Sequence, residues 1–195
     1  MKREIKDKTI LDEFAEDFCK IVDKHCKYII CSGFVAISHG RSRGTEDIDM
    51  IIEKVSESEF IKLHNDLIKN GFECMQSQDG KKVYAYYLIN KDSVRYTRKG
   101  EFLPEMEIKL AKDELDLEQI NSRQKIPFTG LNVYFSSIEG NIAFKEELLG
   151  AEKDLEDAKH LRIIYSDKIN EDKIKLIKQK IRRLRLNRAA FFAED

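Results

Sequence analysis

The sequence has no run approaching about eighteen consecutive apolar residues, so it offers no segment able to cross a membrane as a helix. Its first residues, Met1 to Lys8, are charged and are not followed by the apolar core of a signal peptide, so a cytoplasmic location and no membrane partner are expected. Cysteine is scarce, and Cys19, Cys26, Cys31 and Cys74 stand at spacings that fit neither a zinc ribbon nor a C-x-x-C redox pair. A cytosolic domain of this size has no need of disulfides, so these are expected to be buried or incidental thiols. Charge imbalance is missing too: 35 Lys and Arg against 36 Asp and Glu leave a net of −1. Any attraction to nucleic acid or to an anionic membrane must therefore be local. No internal repeat or low-complexity linker interrupts the chain. Its 195 residues suffice for one domain, or one domain with a helical extension, around a substantial core.

What is present concentrates in ten residues, Gly40-Arg41-Ser42-Arg43-Gly44-Thr45-Glu46-Asp47-Ile48-Asp49, which run into the apolar Met50-Ile51-Ile52. If this apolar stretch is a strand, the side chains of Asp47 and Asp49 leave the same face of it. At roughly 6 Å and an effective dielectric of about 20, two such charges repel by about 3 kcal/mol, a cost that folding avoids unless a cation occupies the gap. The donors are hard oxygens without an accompanying His or Cys cluster, which favours Mg²⁺ or Mn²⁺ over zinc. A bare D-x-D also describes the solvated edge of an amphipathic strand, and the residues upstream distinguish the two. Tyr28 to Cys31 reads as a short buried strand, Ser32-Gly33 as a tight turn, and Phe34 to Ser38 as the first turns of a helix. A small-residue turn opening a helix leaves backbone N–H groups at a positive dipole end, the arrangement that receives phosphate. A phosphate cradle formed by Ser32 and Gly33 thus precedes a metal pair.

The remaining pattern alternates. Ile10, Leu11, Phe14, Phe18, Ile21 and Val22 recur at helical spacing, and Phe60, Ile61, Leu63, Leu67 and Ile68 line one side of a helix from Ser56 to Asn70. Strand-like runs lie at Val83 to Leu88, Ser93 to Tyr96, Met106 to Leu110 and Leu131 to Phe135, and from Ile138 onward the pattern is helical. The expected fold class is α/β (α+β): a mixed sheet flanked by helices over residues 1–136, with a helical C-terminal extension over 137–195 packed on it.

The stretch from Ser32-Gly33 through Phe34-Val35-Ala36-Ile37, His39-Gly40, Arg43 and Thr45 to Asp47-Ile48-Asp49 resembles the nucleotidyltransferase superfamily, the polymerase-beta-like fold. It is most similar to the small bacterial and archaeal branch that includes AbiEii-type toxins and minimal nucleotidyltransferases. That branch usually has Gly-Gly or Gly-Ser at the turn; Ser32 is small, and its hydroxyl can also donate to phosphate. A second block, Ile138 to Lys145 followed by Lys153-Asp154-Leu155-Glu156-Asp157, is similar to the family's K-D-x-x-D segment. The resemblance implies that Lys145 and Lys153 face the nucleotide phosphates; outside the motif both would be ordinary solvated lysines. It also implies a third carboxylate from a later strand. Glu105 and Glu107 alternate with Met106, Ile108 and Leu110 and share a polar face, with Pro104 breaking pairing just before the run. Glu107 sits deeper and is the choice, with Glu105 as the alternative, where the family more often has Asp.

The chemistry implied is in-line attack on the alpha-phosphate of a nucleoside triphosphate such as ATP. Asp47, Asp49 and Glu107 hold Mg²⁺ or Mn²⁺, Glu107 also serves to deprotonate the acceptor, and Arg43 with the two lysines neutralises the leaving group. His39 reads as structural. The acceptors that the resemblance admits are an RNA 3′ end, a protein hydroxyl in a toxin–antitoxin setting with a cognate antitoxin or toxin as partner, or a small molecule such as an aminoglycoside. Between Lys173 and Arg188 stand eight Lys or Arg and no acid, over apolar Ile174, Ile177, Ile181 and Leu184. That helix is either a surface helix docked by its apolar stripe or an electrostatic footprint for RNA, which Arg95, Arg98 and Lys99 could extend. Alternatives to an active transferase are a catalytically degenerate relative that binds nucleotide, RNA or a protein partner, and an RNA-binding module, for which no aromatic stacking motif is visible.

Overall fold

The computed structural model describes residues 8–45 and 47–191, with side chains as far as Arg185. The chain divides into two compact units, Met1–Ser136 and Ser137–Asp195.

The first unit opens with α1 (Ile10–Val22). Thr9 starts it with a reciprocal cap: the Asp12 N–H donates to the Thr9 hydroxyl, and the Thr9 N–H donates to the Asp12 carboxylate. Then come β1 (Tyr28–Cys31), α2 (Gly33–Ser38), β2 (Asp47–Ile52), α3 (Glu57–Lys69), β3 (Phe72–Cys74), α4 (Gly80–Tyr86), β4 (Val94–Arg98), β5 (Glu105–Leu110) and α5 (Glu114–Asn121). The strands form one sheet in the order β1-β2-β5-β4-β3. Only the β2–β5 pairing is parallel; β1–β2, β5–β4 and β4–β3 are antiparallel, so the sheet is mixed.

The period-2 alternation of β2 decides what each face does. Ile48, Met50 and Ile52 are wholly buried on one face. Asp47, Asp49 and Ile51 leave the other, where Ile51 packs against Ile29, Ala111 and Ile120 of α5. A slip of one residue would drive both aspartates into the core and expose three apolar side chains worth about 1.5–3 kcal/mol each, so the register is strongly specified. Elsewhere in this unit Phe14 and Phe18 of α1 meet Phe72, and Phe18 also meets Tyr96, with ring centroids between 4.9 and 5.7 Å apart.

Two expected strands are absent. Residues 83–88, read as a strand from their β-branched and aromatic content, form α4 and a 3₁₀ turn, Leu88–Asn90. Asp79 caps that helix by accepting from the Lys81 N–H, and Gly80 lets it start against His64, whose ring would lie 3.1 Å from a Cβ there. Packing overrode propensity. Residues 131–135 make only isolated bridges, from Phe135 to Ile30 and to Gln124. The three-residue β3 was not foreseen, being too short to show a period. Cys19, Cys26 and Cys74 are buried free thiols and Cys31 is half-buried; burial pushes the Cys26 thiol up to about 12, which leaves it inert at neutral pH.

The second unit is helical: α6 (Ile138–Phe144), a π-helical turn (Lys145–Leu149), α7 (Glu152–Ile164) and α8 (Glu171–Phe191). Ile142, Ala158, Leu161, Ile174 and Ile181 are buried in it. Among these apolar residues lies a lysine: Lys145 is 1% exposed, its Nζ 2.7 Å from Asp157 Oδ2 and 3.4 Å from Asp154 Oδ1. The basic face of α8 is also engaged within the unit. Lys173 pairs with Glu139 at 3.1 Å, Lys178 with Glu146 at 2.6 Å and Arg182 with Glu147 at 2.7 Å, and Arg185 donates to the Glu147 carbonyl at 3.0 Å. No helix among the described residues is long and apolar enough to cross a membrane.

Candidate active site

The β1–α2 turn is built on a strained residue. Ser32 has φ 63° and ψ −135°, a region that non-glycine residues rarely adopt. Its side chain does not cap α2. It lies near enough to the Asp49 carboxylate to favour that group's charged form, so the hydroxyl expected at a phosphate is beside the carboxylate pair. Gly33 follows because Arg43 comes down on it: a Cβ at Gly33 would stand 3.2 Å from the Arg43 guanidinium carbon. The phosphate-gripping arginine expected from the sequence therefore lies over the start of α2.

Asp47 and Asp49 project from the same face of β2, both half-buried. Thr45 orients Asp47: its Oγ1 lies 2.8 Å from Asp47 Oδ1 and 3.1 Å from the Asp47 carbonyl. Strand pairing then sets a row across four strands, with Cys31 opposite Asp49, Asp49 opposite Glu107 and Glu107 opposite Arg95. Glu105 stands opposite Asp47 in the same way. Like charges placed directly opposite destabilise a sheet, and here two cations relieve them. Arg95 donates through Nε and Nη2 to Glu107 Oε2 at 3.1 and 3.0 Å, with Nε also 3.2 Å from Glu105 Oε1. Lys109 bonds to Glu107 Oε1 and lies 3.7 Å from Asp49 Oδ1.

The two central carboxyls titrate in opposite directions. Burial pushes Asp49 up, with the charges of Asp47 and Glu107 adding to it against the pull of Lys109 and Ser32. Burial would raise Glu107 as well, but the bonds from Lys109 and Arg95 outweigh it and hold this carboxyl below its ordinary value.

Among the described residues, no three His, Cys, Asp or Glu are gathered as a metal cage. That agrees with the habit of Mg²⁺, which takes one or two carboxylates and completes its shell with water and substrate phosphates. Asp47 and Asp49 fit such a cation by face, spacing and donor type. Glu107 is in register beside them, but its two oxygens are bound to Arg95 and Lys109.

His39 is buried at the end of α2, its Nδ1 2.6 Å from the Val35 carbonyl and its ring stacked on Phe128. Of the residues expected at phosphate, Lys145 and Lys153 belong to the second unit. Lys153 is exposed in the first turn of α7. Lys145 is a buried ammonium paired with Asp154 and Asp157, not an ordinary solvated lysine. Arg95 and Arg98, read as extensions of an RNA patch, are engaged inside the first unit, Arg98 with Asp17 at 2.6 Å. Sequence reasoning missed the pairing of Lys109, although its position two residues beyond Glu107 on the same strand face was visible.

No family model and no curated protein matches the sequence. Solved structures do. The solution structure of the antibiotic-resistance factor ANT(2″)-Ia superposes with a TM-score of 0.58 at 13% identity, over 95% of this chain and 98% of that one. The crystal structure of ANT(2″)-Ia in complex with adenylyl-2″-tobramycin gives 0.53 at 16% identity, over 90% of this chain and 98% of that one. These are nucleotidyltransferases, and the chain has their fold.

Proposed function

We propose that this chain is a metal-dependent nucleotidyltransferase, moving a nucleoside monophosphate from a triphosphate to an acceptor hydroxyl. The observation that carries the reading is the row in which Asp49 and Glu107 stand in register beside Asp47, next to a strained turn on which Arg43 rests. Mg²⁺ or Mn²⁺ held by Asp47 and Asp49 would polarise the phosphate oxygens and lower the charge they present. Gly33 and Ser32 offer backbone N–H donors to the phosphate tail, and Arg43 grips it with a planar fork. Glu107, kept ionised by its cations, accepts the proton of the acceptor hydroxyl.

The acceptor is the finer part of the proposal. The RNA reading loses weight from α8, where Lys173, Lys178, Arg182 and Arg185 already have partners inside the unit. A protein in a toxin–antitoxin setting and a small hydroxyl-bearing molecule remain, and the adenylyl group in the ANT(2″)-Ia complex is carried by a small molecule, tobramycin. A second reading, a protein that binds nucleotide without transferring it, draws on one observation: Arg95 and Lys109 already neutralise the carboxylates.

Incubation with each of the four radiolabelled ribonucleoside triphosphates and Mg²⁺ or Mn²⁺, in the presence of tRNA, tobramycin or the chain itself, separates these readings. Transfer is read as an intact-mass gain of one nucleotide with release of pyrophosphate. Protection from thermal unfolding by triphosphate and Mg²⁺, without any product, would favour the second reading; at a hundredfold excess over Kd the protection is about 2.7 kcal/mol. Neither protection nor product would remove both.

Thr45 offers a subtler check. Thr45→Val keeps the shape but removes the bond that aims Asp47, and is expected to slow transfer about tenfold, the factor that about 1.4 kcal/mol represents. The melting temperature should hold, and Thr45→Ser should restore the rate. A rate unchanged in Thr45→Val would show that Asp47 needs no such guide.

A further inference from the structure

In the transfer chemistry described above Lys109 serves only to help keep Glu107 ionised, yet it also reaches towards Asp49 of the metal pair. The geometry points to Lys109 as a resident counter-ion: in the substrate-free protein it holds the place of the divalent cation at the carboxylates and withdraws for that cation to bind. This rests on the nucleotidyltransferase reading.

Three observations support it. The first is position. Lys109 follows Glu107 by two residues on β5, so it shares the carboxylate face, and its Nζ bonds to Glu107 while standing 3.7 Å from Asp49. An ammonium there and a divalent cation between Asp47 and Asp49 would compete for the Asp49 carboxylate. The second is the division of labour with Arg95, which bonds the other oxygen of Glu107 and also meets Glu105. When Lys109 leaves, Glu107 keeps a cation, whereas among the described residues Lys109 is the cation paired with Asp49. The third is freedom of movement. The Lys109 side chain is 46% exposed and Arg95 45%, so both border water, but a point charge on a flexible four-carbon stem gives up fewer directed bonds in leaving than the forked, doubly bonded guanidinium of Arg95. With neither ammonium nor metal present, Asp49 and Glu107 would face each other as like charges across a parallel strand pair. The lysine thus keeps the empty sheet face tolerable, at the expense of metal affinity.

The test uses the full chain without nucleotide, titrated with Mn²⁺ alone, free Mn²⁺ being followed by electron paramagnetic resonance. Lys109→Met is expected to bind Mn²⁺ at least about tenfold more tightly than the wild type, a factor that corresponds to about 1.4 kcal/mol. Lys109→Arg, which retains the charge, should bind no more tightly than the wild type. Lys109→Gln supplies the same comparison if the Met variant does not fold, as judged by circular dichroism. Equal affinity in the wild type and the neutral variants overturns the counter-ion role, and leaves the metal site standing if Asp49→Asn abolishes binding. Mn²⁺ binding that Asp49→Asn does not alter, or that is absent throughout, overturns the metal-site reading and the counter-ion role together.

Discussion

Asp47→Asn and Asp49→Asn, made separately, are each expected to reduce nucleotidyl transfer by about a thousandfold or more, which corresponds to about 4 kcal/mol of transition-state stabilisation. Neither should lower the melting temperature. Asparagine keeps the volume and the strand position and removes only the charge that would bind a divalent cation. At position 49 that charge is disfavoured even in the native sheet, because burial and the neighbouring Asp47 and Glu107 push the Asp49 carboxyl up. Transfer rates from intact-mass time courses, set beside thermal melts of the same samples, check both halves. A rate within tenfold of wild type in either variant would remove the metal-pair assignment, and a collapse of the melting temperature would recast the aspartates as structural.

The second large effect is on stability and lies in the other unit. Lys145→Met is expected to destabilise the helical unit by about 3–5 kcal/mol, the usual result of removing one partner from a buried ion pair. The lysine is 1% exposed and stands between Asp154 and Asp157, which are 6% and 0% exposed. Its removal leaves two carboxylates enclosed beside one another without their cation. Against a total stability of about 5–15 kcal/mol, such a loss is severe. The urea midpoint of Lys145→Met should fall sharply, and adding Asp157→Asn should recover part of it by discharging the acid that lost its partner. An unchanged midpoint in the single variant would mean that water or another group already compensates these acids.

The parts of the fold legible in the sequence are those governed by short-range periodicity. Alternation from Asp47 to Ile52 was enough to place both aspartates on one face, and the Glu105-to-Leu110 alternation placed Glu107 on the corresponding face of β5. Pairing across the sheet was not legible. Nothing local states that Arg95 meets Glu107 or that Lys109 reaches Asp49, because both depend on registers between distant strands. Lys145 is an intermediate case. Asp154 and Asp157 are three residues apart and so share one face of a helix, which marks a place for a cation, but no local pattern states that the cation is Lys145. Residues 83–88 misled for a different reason, since Val and Tyr favour strands while a capping aspartate and Gly80 against His64 commit the segment to a helix.

The parallel pairing of β2 with β5 has a kinetic meaning. Asp49 and Glu107 are neighbours in the sheet although α3, β3, α4 and β4 lie between their strands in sequence, so of the strand pairings theirs carries the greatest loop-closure cost. A chain emerging from the ribosome can set β2 beside β1 early, but has no Glu107 to set beside Asp49 until β5 is out. During synthesis the carboxylate row is therefore completed late, and a chain truncated before β5 lacks the Glu107 that completes it.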